Sequence, residues 1–306
     1  MIIAGLLATA IAASVVACGR AETPRAAKPN VDAYRGLATW VDNWDWKTWG
    51  TPGRSQATRI VDAMKRRGVQ TLFLATSHHS QTEDVVEPEA LSAMMEAARR
   101  RSMRLIAWYQ PSFTNIERDY RRAMAAIRFR TRGGERFDSF ALDIEARVVT
   151  PTALRNSRLL QLSARIRRTV GQEYALGAIV PSPRLLELYP NSWPLFPYDR
   201  LARFYDVFLP MAYWTFHTGT FKGAYGYTAK SISGIREETN AANVTVHAIG
   251  GTARHANAAE VRGFLGATRA CRAVGVSLYD FLTTTRAEWQ ELTQPDARPP
   301  REAACA

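Results

Sequence analysis

The stretch FDSFALDIE, residues 137–145, contains neither proline nor glycine, and its apolar and polar residues alternate with a period of two. Successive side chains of a β-strand point to opposite faces, so Leu142 and Ile144 share one face while Asp143 and Glu145 share the other. The apolar face suits packing beneath helices, and the other face ends in two carboxylates. The stretch therefore predicts a buried strand that ends in a pair of acids.

Short apolar runs of this kind alternate with amphipathic stretches along the chain, as β-then-α units would. Eight runs lie at residues 36–42, 70–76, 103–109, 137–145, 174–180, 207–213, 244–249 and 275–281. Helical patterns lie at residues 54–67, 88–101, 115–130, 151–169, 229–242, 256–273 and 286–292. No GxGxxG motif follows the first run, so the pattern predicts a single α/β domain, a (β/α)8 TIM barrel, rather than an open doubly wound sheet.

The N-terminus differs from the rest of the chain. Residues 1–17 contain no charged side chain and end in small residues before Cys18, which resembles the lipobox of bacterial lipoproteins. We expect a signal peptide at 1–17, a lipid-anchored tether at 18–33, a (β/α)8 barrel domain at 34–295 and a C-terminal tail at 296–306. An uncleaved anchor and a plain signal peptide cut after residue 17 are the alternatives. Each predicts an exported protein; lipidation of Cys18 would hold it at the membrane.

The charge and the cysteine content narrow the range of binding partners and cellular compartments. The formal net charge is +12, yet 35 of the 40 cations are Arg, scattered without a basic run interleaved with aromatic residues, which argues against nucleic acid. On an exported monomer the excess charge favours anionic polymers and lipid headgroups of a cell envelope. Cys271 and Cys305 would lie in an oxidising compartment, where they either form a disulfide that pins the tail or remain free thiols.

The carboxyl ends of barrel strands form the active sites of this fold, which directs attention to Asp143 and Glu145. Two carboxylates this close repel each other when both are ionised, so one pKa should rise, as a general acid near neutral pH requires. The structural alternative is a metal-holding or salt-bridged acidic pair, with Arg147 as the neutralising cation.

The spacing Asp138-x-x-Ala141-x-Asp143-x-Glu145 resembles the DxxDxDxE signature of glycoside hydrolase family 18 chitinases, with Ala141 in place of the second acid. The resemblance implies that Glu145 is the proton donor. It also implies that Asp143 orients the N-acetyl group of the substrate, whose carbonyl replaces a protein nucleophile. Asp138 would be a structural residue near the lower end of the strand.

The same D-x-E also resembles the family 25 lysozymes, whose first-strand acid would correspond to Asp42 or Asp45. The run LPMAYW, residues 209–214, is similar to the M-x-Y-D/N motif of family 18. This similarity implies that Met211 lines the floor of the site and that the Tyr213 hydroxyl binds the N-acetyl oxygen. Trp214 replaces the acid or amide of that motif. The alternative interpretation treats Tyr213 as an ordinary core residue.

Aromatic and polar residues gather at the other strand ends, including four tryptophans within residues 40–49. Flat indole rings suit stacking on sugar rings, and acids bind hydroxyl groups. The candidate substrate-binding residues are Asp42, Trp44, Asp45, His78, Trp108, Tyr109, Met211, Trp214, Tyr279 and Asp280. A lid packed on itself is the alternative for the tryptophan-rich loop. His78 and His79 lack HxH, HExxH or CxxC spacing, so we expect no metal and no cofactor.

Together these features predict an exported glycosidase that cleaves an N-acetylhexosamine-containing polysaccharide such as peptidoglycan, chitin or an exopolysaccharide. Glu145, Asp143 and Tyr213 would be its catalytic residues. A non-catalytic carbohydrate-binding barrel is the first alternative, because Ala141 and Trp214 depart from the family pattern. A phosphodiester hydrolase that combines His78 or His79 with the carboxylates is the second.

Overall fold

A computed structural model describes residues 29–252, 254–294 and 305. The predicted signal peptide, Cys18 and most of the predicted tether lie outside these residues. In the part of the chain that is described, no helix has the length and apolar character needed to cross a membrane.

Eight parallel strands close a barrel in sequence order, with β8 hydrogen-bonded to β1. The strands are β1 (Gly36–Val41), β2 (Thr71–His78), β3 (Arg104–Gln110), β4 (Ser139–Asp143), β5 (Leu176–Pro181), β6 (Val207–Met211), β7 (Thr245–Gly251) and β8 (Gly275–Tyr279). Each coincides with one of the eight apolar runs. The prediction of a single (β/α)8 barrel is confirmed.

Helices surround the barrel on its outer side. They are α1 (Asp45–Trp49), α2 (Arg54–Arg66), α3 (Pro88–Arg100), α4 (Ile116–Arg128), α5 (Thr152–Val170), α6 (Pro183–Leu188), α7 (Tyr198–Leu201), α8 (Phe221–Glu238), α9 (Ala258–Ala270) and α10 (Arg286–Leu292). α8 begins eight residues before the predicted position, because the Thr220 side chain accepts a hydrogen bond from the Gly223 amide and caps the helix there. The short helices α1, α6 and α7 lie outside the seven predicted helical patterns.

Two apolar cores follow from the alternation of side chains along the strands. One core fills the barrel interior and includes Trp40, Phe73, Ile106 and Leu209. The larger core lies between the strands and the helices. The inward residues at the carboxyl ends of the strands form the floor of a cleft.

The opposite end of the barrel is closed by Tyr34, the first residue of the predicted barrel domain, together with the last two residues of the predicted tether. Residues Asp32–Tyr34 form a 3-10 turn, and Ala33 and Tyr34 are buried. The Tyr34 hydroxyl lies 2.7 Å from Ser139 Oγ, and Thr71 Oγ1 donates to the Ala33 carbonyl. A Cβ on Gly177 would lie 2.6 Å from that hydroxyl, so the ring depends on the glycine. The end of the predicted tether, at residue 33, therefore packs against the barrel.

The tail is attached to the outer face of the barrel. Cys305 forms a disulfide with Cys271, which follows the last residue of α9. The Arg236 guanidinium on α8 donates to the Cys271 carbonyl at 2.6 Å, so the attachment point is held by two helices.

Candidate functional site

A cavity of about 500 Å³ opens at the carboxyl ends of the strands. Nine of the residues singled out from the sequence line it: Asp42, Trp44, His78, Trp108, Asp143, Glu145, Met211, Tyr213 and Tyr279. They come from β1, β2, β3, β4, β6 and β8 or the residues directly after them. The barrel therefore gathers side chains that are up to 237 positions apart in the chain.

Asp143 is the last residue of β4 and is only 7% exposed. Its Oδ1 atom has no hydrogen-bond partner among the described residues. The inward residue below it is the fully buried Ala141, whose methyl group offers no hydrogen bond. Burial and the nearby charge of Glu145 raise the pKa of the Asp143 carboxyl well above its ordinary value. Asp143 therefore favours its neutral form.

Glu145 lies two residues beyond the strand, at the rim of the cavity. The residue is exposed toward the opening of the cleft, yet the walls around its carboxyl exclude enough water to raise its pKa. A hydrogen bond from Gln110 Nε2 and the positive charge of Arg147 act in the opposite direction. The net upward shift keeps Glu145 protonated to a higher pH than a free glutamate.

The floor of the cavity is aromatic. The Trp40 ring stacks on Phe73 with centroids 3.9 Å apart. The Trp108 ring contacts the Trp40 ring edge-on, with centroids 5.9 Å apart. Tyr279 packs beside both indoles and donates its hydroxyl to Asp42 Oδ2 at 2.9 Å. Apolar ring faces beside carboxylates are suited to binding sugars, which have both CH-rich faces and hydroxyl groups.

A chain of hydrogen bonds inside the barrel holds this floor. Trp40 Nε1 donates to Ser277 Oγ at 2.9 Å, and His247 Nε2 lies 3.0 Å from the same oxygen. His247 Nδ1 lies 2.8 Å from the Tyr34 carbonyl, which accepts. The tautomer with a proton on Nδ1 satisfies all four groups, since Nε2 then accepts from the Ser277 hydroxyl.

Burial lowers the pKa of His247 to about 4, so we expect its imidazole not to titrate between pH 5 and pH 8. In the protein unfolded by urea, the same imidazole should titrate at about pH 6.5. Because the unfolded state binds this proton more readily, the contribution of His247 to stability falls as the pH drops from about 6.5 toward 4. NMR titration of the folded protein measures the pKa of His247, with its signal assigned by comparison with His247→Gln. A folded-state midpoint above pH 6 would contradict the predicted lowering of this pKa.

Three buried acids lie beside the floor: Asp42, Asp45 and Asp280, with oxygens within 4.8 Å of one another. Burial and the charges of the other two raise the pKa of Asp45 to about 8. Asp45 Oδ2 accepts from the Asp42 amide, while Asp280 Oδ1 accepts from the Thr283 amide and hydroxyl. These carboxylates thus already accept hydrogen bonds from protein donors, and the bonds hold the loops at the rim of the cavity.

Four of the predicted binding residues do not line the main cavity. Asp45 and Asp280 belong to the acidic group just described. Tyr109 is fully buried on the outer side of the barrel and donates to Asp119 Oδ1 at 2.7 Å. Trp214 is also fully buried and stacks on Phe264, against Gly250, where a Cβ would lie 2.2 Å from the indole. Both predictions are wrong. Tyr109 follows the inward Trp108 within β3 and so faces outward. Trp214 begins a 3-10 turn after β6, and its ring packs against α9 outside the barrel.

The two histidines at the end of β2 lie next to each other beside the cavity. His78 lines the cavity, and its Nδ1 lies 2.6 Å from Ser80 Oγ; the His79 ring packs against it. Burial lowers the pKa of both imidazoles, which favours their neutral forms. Within the described residues, the only candidate metal-holding group contains carboxylates and neither histidine.

Some lining residues were missed. Gln110 is the most important, because it contacts Glu145 directly. The period of two that places Trp108 inward would have identified Gln110, two positions later, in place of Tyr109. Trp40 is in phase with Asp42 in the same way. Phe216, in the 3-10 turn after β6, and Thr252, directly after β7, also line the cavity, and neither belongs to a strand whose alternation could have identified it.

Comparison with solved structures shows that the same (β/α)8 fold occurs in several glycoside hydrolases. An endo-β-1,4-mannanase from Thermotoga petrophila aligns at a TM-score of 0.62 and 10% identity, over 83% of this chain and 69% of its own. A class V chitinase from Pseudomonas fluorescens aligns at 0.58 and 12%, over 84% and 98%. The spore cortex-lytic enzyme SleL of Bacillus megaterium aligns at 0.57 and 7%, over 90% and 76%. No family model and no curated protein matches the sequence.

Proposed function

We propose that this protein is a glycoside hydrolase that cleaves an N-acetylhexosamine-containing polysaccharide by a family 18-like mechanism. The observation that carries the proposal is the pair Asp143 and Glu145, with raised pKa values, above an aromatic floor in one cavity. The solved chitinase and cortex-lytic enzyme with the same fold support it.

In the proposed reaction Glu145 donates its proton to the glycosidic oxygen while the bond from that oxygen to the anomeric carbon breaks. The acetamido carbonyl oxygen of the substrate forms the new bond to the anomeric carbon. Asp143, whose Oδ1 lacks a partner among the described side chains, accepts from the acetamido N–H and fixes its direction. The Tyr213 hydroxyl, which shares the cavity with both acids, donates to the acetamido oxygen. Water then opens the intermediate, with Glu145 as the base.

Incubation with chito-oligosaccharides, peptidoglycan and β-mannan, followed by mass spectrometry of the products, tests the proposal. We expect products from N-acetylated substrates and none from their deacetylated counterparts, because the acetamido oxygen is the nucleophile. Binding without products on long incubation would favour the carbohydrate-binding alternative. Chelator-sensitive cleavage of a phosphodiester instead would favour the other hydrolase chemistry.

The pH dependence of this activity should respond to Gln110. Gln110→Leu removes a hydrogen bond that lowers the pKa of Glu145, so the pKa rises further and the fall of kcat/KM at alkaline pH moves to higher pH. Gln56→Leu removes a glutamine that instead donates to the Trp49 carbonyl and should leave the profile in place. A fall that moves to lower pH in Gln110→Leu would contradict the assignment of Glu145 as the acid.

We also propose that the protein is exported and held at a membrane by lipid on Cys18, which the apolar residues 1–17 and the following cysteine support.

A further inference from the structure

A second cavity, of about 260 Å³, opens on the other side of Glu145. It shares Glu145, Met211 and Tyr213 with the main cavity, so the carboxyl group of Glu145 lies between the two. Its far wall consists of Arg147, Leu185, Tyr189 and Trp193. Within the proposed function, the acid must reach the oxygen that joins two sugars, so one sugar lies on each side of it.

The main cavity contains Asp143, the group that would hold the N-acetyl group of the sugar undergoing attack. The second cavity is therefore the place for the sugar that leaves. Tyr189 is 53% exposed and Trp193 is buried, so the cavity offers one accessible ring to a sugar face.

Besides the acid Glu145, the second cavity is lined by one arginine, Arg147. The Arg147 side chain is exposed, and no ion pair found in the described part of the chain includes it. Behind it the Arg155 guanidinium lies 4.1 Å from the centre of the Trp193 ring. Arg155 is buried and donates to the Arg147 carbonyl, so it supports the backbone at this point. The cation facing the cavity is thus available to a ligand.

We propose that this second cavity binds a leaving-group sugar that bears a carboxylate, and that Arg147 forms an ion pair with that carboxylate. A planar guanidinium pairs with a carboxylate through two parallel hydrogen bonds, which gives both affinity and direction. The inference rests on the proposed function and specifies its substrate class: a polymer in which N-acetylhexosamine alternates with an acidic sugar. The acid is either a lactyl ether, as in muramic acid, or a uronic acid.

Saccharide binding is best measured on the Glu145→Gln variant, because this change slows turnover greatly and removes the titrating carboxyl of Glu145. The probes for calorimetry at low salt are a muramic-acid-containing tetrasaccharide, an N-acetylglucosamine–glucuronate tetrasaccharide, and the methyl ester of each. We expect the acid form of one probe to bind about tenfold more tightly than its ester. Whichever acid shows the larger preference identifies the source of the carboxylate.

The matched variants are made in the same Glu145→Gln background. Arg147→Gln should abolish the preference for acid over ester, and Arg147→Lys, which keeps the charge, should retain part of it. Arg59→Gln removes an exposed arginine of α2 and should retain all of it. Equal affinities for acid and ester, unchanged by Arg147→Gln, would overturn this inference and leave the proposed function standing. Failure of every saccharide to bind, with no products from the unmodified protein, would instead overturn the proposed function.

Discussion

Glu145→Gln is expected to lower kcat/KM for hydrolysis by about 10²–10⁴-fold, the usual contribution of a positioned general acid. The amide has the shape of the acid and can still pair with the Gln110 side chain, but it has no acidic proton to give to the leaving oxygen. Saccharide affinity should therefore change little. Initial rates on N-acetylated oligosaccharides, together with calorimetry on the same probes, separate the chemical step from binding.

A matched control is Glu237→Gln, which removes an exposed glutamate near the end of α8 and should retain full activity. Circular dichroism establishes that both variants are folded. Hydrolysis by Glu145→Gln at the rate of the unmodified protein would refute the assignment of the acid and with it the mechanism proposed above.

Tyr34→Ala is expected to lower the free energy of unfolding by about 3–5 kcal/mol, the range for removing a large buried aromatic side chain. The ring closes the barrel at the amino ends of its strands and lies beside Gly177 and Leu209. A shift of the backbone at residue 34 would also disturb the site, because its carbonyl accepts from His247, two hydrogen bonds away from Trp40. Urea denaturation followed by circular dichroism measures the change.

Tyr34→Phe keeps the ring and removes only the hydroxyl that contacts Ser139, so its cost should be about 0.5–1.5 kcal/mol. Tyr189→Ala, at a tyrosine that is exposed in the unliganded protein, should cost no more than about 0.5 kcal/mol. If Tyr34→Ala were as mild as Tyr189→Ala, residues 32–34 would not be part of the cooperative unit.

The architecture was predictable because strand and helix periodicities are local properties of the sequence. The run at residues 137–145 already shows which side chains of β4 face inward, and the structure places Asp143 and Glu145 at one cavity. The same local rule holds along β3, where Trp108 and Gln110 share the inward face and Tyr109 lies on the outward face.

Other features depend on contacts between distant parts of the chain, which periodicity cannot reveal. Tyr34 directly follows the segment whose composition suits a tether, and it is a core residue because β4 and β5 begin beside it. The link from Trp40 to Ser277 spans 237 positions. Trp214 looks like a site residue in the sequence. In the structure its ring packs between strand and helix, in space that is free because Gly250 has no side chain.

The turn at Asp32–Tyr34 also determines how the molecule would stand on a surface. The chain enters the barrel at the face opposite the cleft, so a group attached next to the turn lies on that opposite face. A resin coupled at residue 29 in the laboratory would thus hold the protein with its cleft directed away from the resin. A long polymer could then approach the cleft from the bulk medium without meeting the support.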